Sequence, residues 1–195
     1  MPTTLNIDLG SLVPGIPSTA DLALLDALVL GHRTAAKNNA NLSKTVCIQA
    51  SWGSGHFRQG AAAAILTLGL THAPLTAARE VFELADLDQV TQQVKNGQIV
   101  PGFGNSFFRD HIDPAFKPVH MELGKNYERQ YRRLEELTKA VWDGGKKVWP
   151  NAALYTAVVC SAVGFPKGVE EVLFLLPRLP VWAEACLGDP TKPAA

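Results

Sequence analysis

A chain of 195 residues that is 47% hydrophobic can bury a sizeable core, and its length suits one domain or a body with a small lobe. Eighteen basic and eighteen acidic residues give a formal net charge of zero, so nothing in the balance favours nucleic acid or an anionic membrane surface as a partner. Cys47, Cys160 and Cys186 are far apart, sit in apolar runs and lack metal-ligand spacing; no metal site is expected, and the thiols read as buried and free in a reducing compartment.

The start, MPTTLNIDLGSLVPG, has no basic segment and carries Asp8, so it is not expected to be a secretory signal. Residues 1–17 read as an N-terminal extension. STADLALLDALVL then opens a helix, with Ser18 and Asp21 spaced as a capping box. In SWGSGH, His56 is expected to serve the loop and not catalysis, because Gly53-Ser54-Gly55 lacks nucleophile-elbow spacing. FRQGAAAAILTLGL suits a helix packed closely on all sides. PLTAAREVFELA begins with Pro74 at a first-turn position and places Leu75, Ala78, Val81 and Phe82 on one face.

VPGFGNSFFRDHIDP, from Val100 to Pro114, is a loop between helical regions. Its glycines allow a tight turn that leaves backbone N–H groups uncovered. NYERQYRRLEELTKAV is the clearest amphipathic helix, with Tyr127, Tyr131, Leu134 and Val141 in one stripe. Glu128–Arg132 and Glu135–Lys139 are spaced as i,i+4 pairs. Its arginines are most simply a solvated face. DGGKK stops it, and Trp142 and Trp149 flank that stop as apolar anchors. NAALYTAVVCSAVG and GVEEVLFLLPRLPVWAEACL are apolar and helical in pattern, except around Pro177 and Pro180. The longest apolar run is too short to cross a bilayer. The expected class is all-α, cytoplasmic, with a frayed tail over 189–195.

Four stretches add more by their order: GLTHAPLTAAREVF, VPGFGNSFFRDHIDP, VWPNAALY and LFLLPRLPVWAEA. Together they resemble the citrate synthase family, including its shorter citryl-CoA lyase-type members, from roughly Leu22 to Leu187. The resemblance implies a helical fold with a large domain, here 18–73 and 150–188, and a small mobile lobe, here 74–149. It implies a homodimer, or a hetero-oligomer with an active relative. The implied ligands are an acyl-CoA and a carboxylate-containing small molecule, with no permanently bound cofactor and the CoA thioester as substrate.

Matched residue by residue, His72 stands at the family's thioester-polarising histidine, followed by Ala73-Pro74 where Gly-Gly is usual. Arg178 stands at a carboxylate-binding arginine. His32 is matched to an acceptor-binding histidine. Pro101, Gly102, Phe103 and Gly104 match the segment along the CoA adenine, and Arg109 a position that contacts CoA phosphates. Three positions depart. Asn105 replaces the second catalytic histidine, Ala153 the aspartate base, and Ala115 an arginine after Asp-Pro.

Alanine cannot take a proton, and losing a general base costs ~10²–10⁴ in rate. Asparagine can donate a hydrogen bond but cannot deliver a proton at neutral pH. The resemblance therefore leaves three readings open. The first is an acyltransferase or lyase relative of altered chemistry on a CoA thioester, lyase- or hydrolase-like, with Tyr155, Asp110, His111 or Asp113 supplying the base. The second is a non-catalytic relative that binds CoA species or supports a partner subunit. The third is a helical interaction module. Each residue also has a plainer role: His72 as a helix-start histidine, Arg178 paired with Glu184, and Arg109 as a solvated loop residue.

Overall fold

A computed structural model describes residue 15 and residues 17–38, 42–67 and 73–187. His72, residues 1–14 and 16 of the extension, and the 189–195 tail lie outside the described residues. The all-α expectation holds: the described residues form helices, with a single antiparallel bridge between Phe103 and Pro150. The helices are α1 (Thr19–Asn38), α2 (Leu42–Ser54), α3 (Phe57–Ile65), α4 (Leu75–Leu84), α5 (Leu87–Lys95), α6 (Lys117–Asn126), α7 (Glu128–Asp143), α8 (Ala152–Val163), α9 (Val169–Leu175) and α10 (Leu179–Leu187). No described helix is long and apolar enough to cross a membrane.

Local chemistry sets the ends of these helices. The capping box of α1 is formed: Ser18 N donates to Asp21 Oδ2 at 2.8 Å, and Asp21 N donates to Ser18 Oγ at 3.1 Å. At α3 the side chain that serves the turn is Ser54, whose Oγ donates to Ala50 O and accepts from His56 N; His56 itself is exposed. Pro74 lies just before the first residue of α4, and Leu75, Ala78 and Phe82 are buried as the pattern required. Glu128–Arg132 pairs along α7. Lys139 instead pairs with Asp143, and Glu135 Oε1 lies 3.9 Å from His120 Nε2. Trp142 and Trp149 meet edge to face at 4.7 Å, and Trp142 Nε1 donates to Val148 O, closing the Gly144-Gly145 turn.

Helix α8 is central. Ala153 to Cys160 are all buried, and a helix apolar on every side must be covered on every side. α4, α9 and α1 pack on it, α6 packs on α1, and α5 packs on α7. One apolar core, from Leu24 and Leu28 through Phe116, Leu134 and Leu137 to Leu173, runs through all of these. Each such side chain contributes about 1.5–3 kcal/mol on burial. A second, smaller cluster of Ala36, Cys47, Ala64 and Trp182 joins α2 and α3 to α10. The thiols are free; Cys47 Sγ lies 3.8 Å from Cys186 Sγ, and burial, followed by that neighbour, pushes Cys47 up to about 12.

Arg79 of α4 ties the chain that leaves α8. It donates to Phe165 O at 2.7 Å, Pro166 O at 3.0 Å and the fully buried Glu170 at 3.2 Å. Arg178 sits between α9 and α10. Pro177 breaks the helix before it, whereas Pro180 falls in the first turn of α10, where proline is tolerated.

Candidate functional site

The Pro101–Gly104 turn and the start of α8 are stitched into one surface. Gly104 N donates to Trp149 O at 2.9 Å, and Asn151 N donates to Gly102 O at 2.9 Å. The Asn151 side chain completes the seam: its Nδ2 donates to Gly104 O, while its Oδ1 caps α8 by accepting from Ala153 N. Gly102 and Gly104 have φ of +89° and +87°, a region glycine enters without strain. A side chain at Gly102 would also strike Leu154 Cβ at 2.9 Å.

Behind this seam lies a cavity of about 530 Å³. Pro101, Gly102, Phe103, Gly104, Asn105, Asp113, Ala153 and Arg178 all line it, with Ala35 of α1, Phe174 of α9, and Ala73 and Pro74 at the entry to α4. The structure therefore brings the Pro101–Gly104 turn, Asn105, Ala153 and Arg178, all singled out from the sequence, to one place. Ala73 holds φ +51°, a left-handed backbone that a non-glycine residue adopts at a cost.

Arg178 is buried and held from behind. Nη2 and Nε donate to His32 Nδ1 at 3.0 and 3.2 Å, and its Cζ lies 3.7 Å from the Phe174 ring centre. Thr156 Oγ1 donates to Ala152 O, so it receives from His32 Nε2 at 2.9 Å. That chain fixes a neutral imidazole with its proton on Nε2. Burial, then Arg178, holds His32 well below its ordinary value, and burial lowers Arg178 to about 9. His32 does not line the cavity; it orients the arginine that does.

Asp113 caps the 3-10 turn Pro114–Phe116 by accepting from Ala115 N at 3.0 Å, and it accepts a long 3.4 Å contact from Asn105 Nδ2. Burial raises its carboxyl above the usual value, opposed by the Ala115 N–H, Arg178, His111 and Asn105. Asn105 spends its carbonyl on Phe107 N in a tight local turn. Tyr155 lies elsewhere: fully buried, stacked on Phe116, with its hydroxyl 3.3 Å from His120 Nδ1 and its pKa raised by burial first. Arg109 is exposed and does not line the cavity, nor does Asp110 or His111. Arg178 pairs with His32, not Glu184.

Among the described residues no group of three or more His, Cys, Asp or Glu is gathered for a metal ion. A larger groove of about 720 Å³ lies along α4 and α7, lined by Glu83, Glu128, Arg129, Arg132, Arg133 and Glu136. Arg132 is paired with Glu128, and Arg133 is bound to the carbonyls of Phe82 and Ala85. Two of its three arginines are therefore held by the protein itself, and none of the site residues matched to the family lines it, so the smaller cavity is taken as the candidate site.

Asn151 lines the cavity although it carried no expected role, and Asp113, named only among candidate bases, lines it too. The signal for Asp113 was present in the Asp-Pro that starts a turn. That it faces Arg178 was not.

The family model for the citrate synthase C-terminal domain matches residues 33–187. Citrate synthase 1 of Mycobacterium tuberculosis (strain CDC 1551 / Oshkosh) is 29% identical over 167 residues, covering 77% of this chain and 36% of that protein. Citrate synthase of Dictyostelium discoideum is 30% identical over 125 residues, 58% of this chain and 24% of its own. The chain thus spans about a third or less of the length of these relatives. Among solved structures, citryl-CoA lyase from Hydrogenobacter thermophilus superposes with a TM-score of 0.72 at 19% identity, over 90% of this chain and 73% of that one. Citrate synthase from Thermotoga maritima MSB8 gives 0.74 at 19% identity, over 87% and 49%. At that identity the likeness is one of fold.

Proposed function

The chain belongs to the citrate synthase family, and from that premise we propose that it binds a CoA thioester in the cavity walled by Pro101–Gly104, Ala153 and Arg178. We take its chemistry there to be lyase- or hydrolase-like, not the making of citrate. The observation that carries this reading is that the glycine turn, the buried Arg178 and Ala153 line one cavity; that Ala153 stands at the position of the family's base belongs to the proposal.

In this reading the adenine lies against Pro101–Gly104 and Arg109 meets a phosphate from the exposed loop. His72 directly precedes Ala73, which lines the cavity, and it donates to the thioester oxygen. Arg178, aimed by His32, holds a carboxylate of the second substrate. Asn105 supplies a hydrogen-bond donor where a histidine would supply a proton. Cleavage or hydrolysis of a thioester needs less from the missing base than condensation does. The division into a body of 18–73 and 150–188 and a lobe of 74–149 belongs to the same proposal. Its support is that the cavity draws lining from both, although one apolar core runs through them. A homodimer, or a complex with an active relative, and a cytoplasmic location are further parts of it.

A second reading has its own observation. With Ala153 unable to take a proton and the Tyr155 hydroxyl committed to His120, the chain suits a non-catalytic relative that binds CoA species or supports a partner subunit. Calorimetry with CoA, acetyl-CoA and a longer acyl-CoA, followed by an assay for free CoA release, tests both. Binding with release supports the first reading, and binding without release supports the second. Absence of binding ends the CoA proposal and leaves the chain as a helical interaction module. Acetyl-CoA with oxaloacetate is expected to give no citrate above background, and turnover at an ordinary enzymatic rate overturns the reading of Ala153.

A further inference from the structure

Among the described residues that line the cavity, two side chains carry charge: Asp113 and Arg178. They do not consume each other. Arg178 gives Nε and Nη2 to His32 and stacks on Phe174, so the guanidinium is fixed and Nη1 has no partner among the described residues. Asp113 is fixed as well, by the Ala115 N–H, while its second oxygen receives a long contact from Asn105 and keeps acceptor capacity. The lining therefore presents one donor edge and one acceptor edge, both buried, with charges that cancel.

We propose that the Arg178–Asp113 pair makes the inner end of this cavity a subsite for a small molecule bearing one carboxylate and an adjacent ammonium or hydroxyl group, in place of a dicarboxylate. This rests on the proposed function only for the identity of the neighbouring ligand. The single carboxylate goes to Arg178 Nη1, where a planar guanidinium already aligned needs no reordering. The adjacent donor goes to Asp113. A second carboxylate would instead face Asp113, a like charge in a place shielded from water, and among the described lining residues no cation besides Arg178 is present to answer it. Specificity thus comes as much from the repulsive group as from the attractive one.

The test is calorimetry on the full chain at pH 7 with 2-aminobutyrate, 2-hydroxybutyrate and oxaloacetate, each titrated with and without saturating CoA. Both monocarboxylates are expected to bind at least tenfold more tightly than oxaloacetate. Asp113→Asn keeps an acceptor for the Ala115 N–H and is expected to abolish that preference. Ala115→Arg, at a position that does not line the cavity, is expected to shift it toward oxaloacetate if Asp113→Asn proves too unstable to study. Oxaloacetate binding most tightly to the wild-type chain, no binding of any probe, or an order of affinities untouched by both variants overturns the inference. If CoA fails to bind while the monocarboxylates bind in the stated order, the CoA reading falls and the subsite stands. If CoA binds and the order fails, the reverse holds.

Discussion

Arg178 and His32, 146 positions apart, meet in the core, with Arg178 Nη2 donating to His32 Nδ1 at 3.0 Å. The pair explains how a cation is kept inside an apolar setting: the imidazole offers a lone pair, Phe174 offers a ring face, and Thr156 fixes the tautomer. His32→Ala removes that acceptor and is expected to cost at least ~1–3 kcal/mol, the penalty for a buried polar group left unsatisfied. His32→Gln, which retains an acceptor, is expected to lose less. Urea unfolding of both variants measures the difference, and equal losses would show that the lone pair contributes nothing.

The same histidine gives the stability a pH dependence. Burial lowers the folded-state pKa of both His32 and His120, so near pH 6.5 the unfolded chain binds more protons than the folded one. Stability is therefore whole above the unfolded value and falls as pH drops below it, by up to ~1.4 kcal/mol per unit for each group. Thermal melts between pH 7.5 and 5 are expected to show a falling Tm, with a shallower slope in His32→Gln.

Arg79 and Glu170 form a buried charge pair. Arg79→Met leaves Glu170 uncompensated, with the carbonyls of Phe165 and Pro166 stripped of their donor, and is expected to cost ~3–5 kcal/mol. Adding Glu170→Met to that variant should recover much of the loss, because two apolar side chains do not need each other. A double-mutant cycle in urea decides this, and additive losses would mean the two do not act as a pair.

The two glycines of the cavity turn separate backbone strain from collision. Gly104→Ala meets open space and carries only the left-handed backbone penalty, roughly 1–2 kcal/mol. Gly102→Ala pays the same penalty and drives a methyl into Leu154 and Ala78. Gly102→Ala is expected to be the more destabilising by at least ~1 kcal/mol in thermal or chemical unfolding.

Ala153→Asp tests directly the proposal that a base has been lost at this position. The position lines the cavity in the first turn of α8, where a helix start favours a negative charge, so the variant is expected to fold. Exchange of the acetyl-CoA methyl protons in D₂O, followed by mass spectrometry, is expected to rise ~10²–10⁴-fold over the wild-type chain. No rise in a folded variant that binds acetyl-CoA would mean that the site no longer places a thioester beside position 153.

Much of the fold was legible in local pattern. The capping box at Ser18 and Asp21, the stripe of α7 and the stop at Gly144 each rest on neighbours within one or two turns, and each formed. α2 went unread, and so did α5 and α6, although Asp86 caps α5 with its side chain and Pro118 stands in the opening turn of α6. The apolar sides of α5 (Val90 with Val94) and α6 (Val119 with Leu123) are too short to stand out without the helices they pack against.

By itself the sequence determined the helical class, through periodicity and end signals, and the family, through the order of short motifs; the three positions read as altered came from matching to that family. Only the tertiary structure decided what those positions face. Which residue meets Arg178, whether Tyr155 reaches the cavity, and that Asp113 does, depend on how α1, α8, α9 and the 100–116 loop pack. Side chains 146 positions apart share an environment only once close packing has closed the core around them.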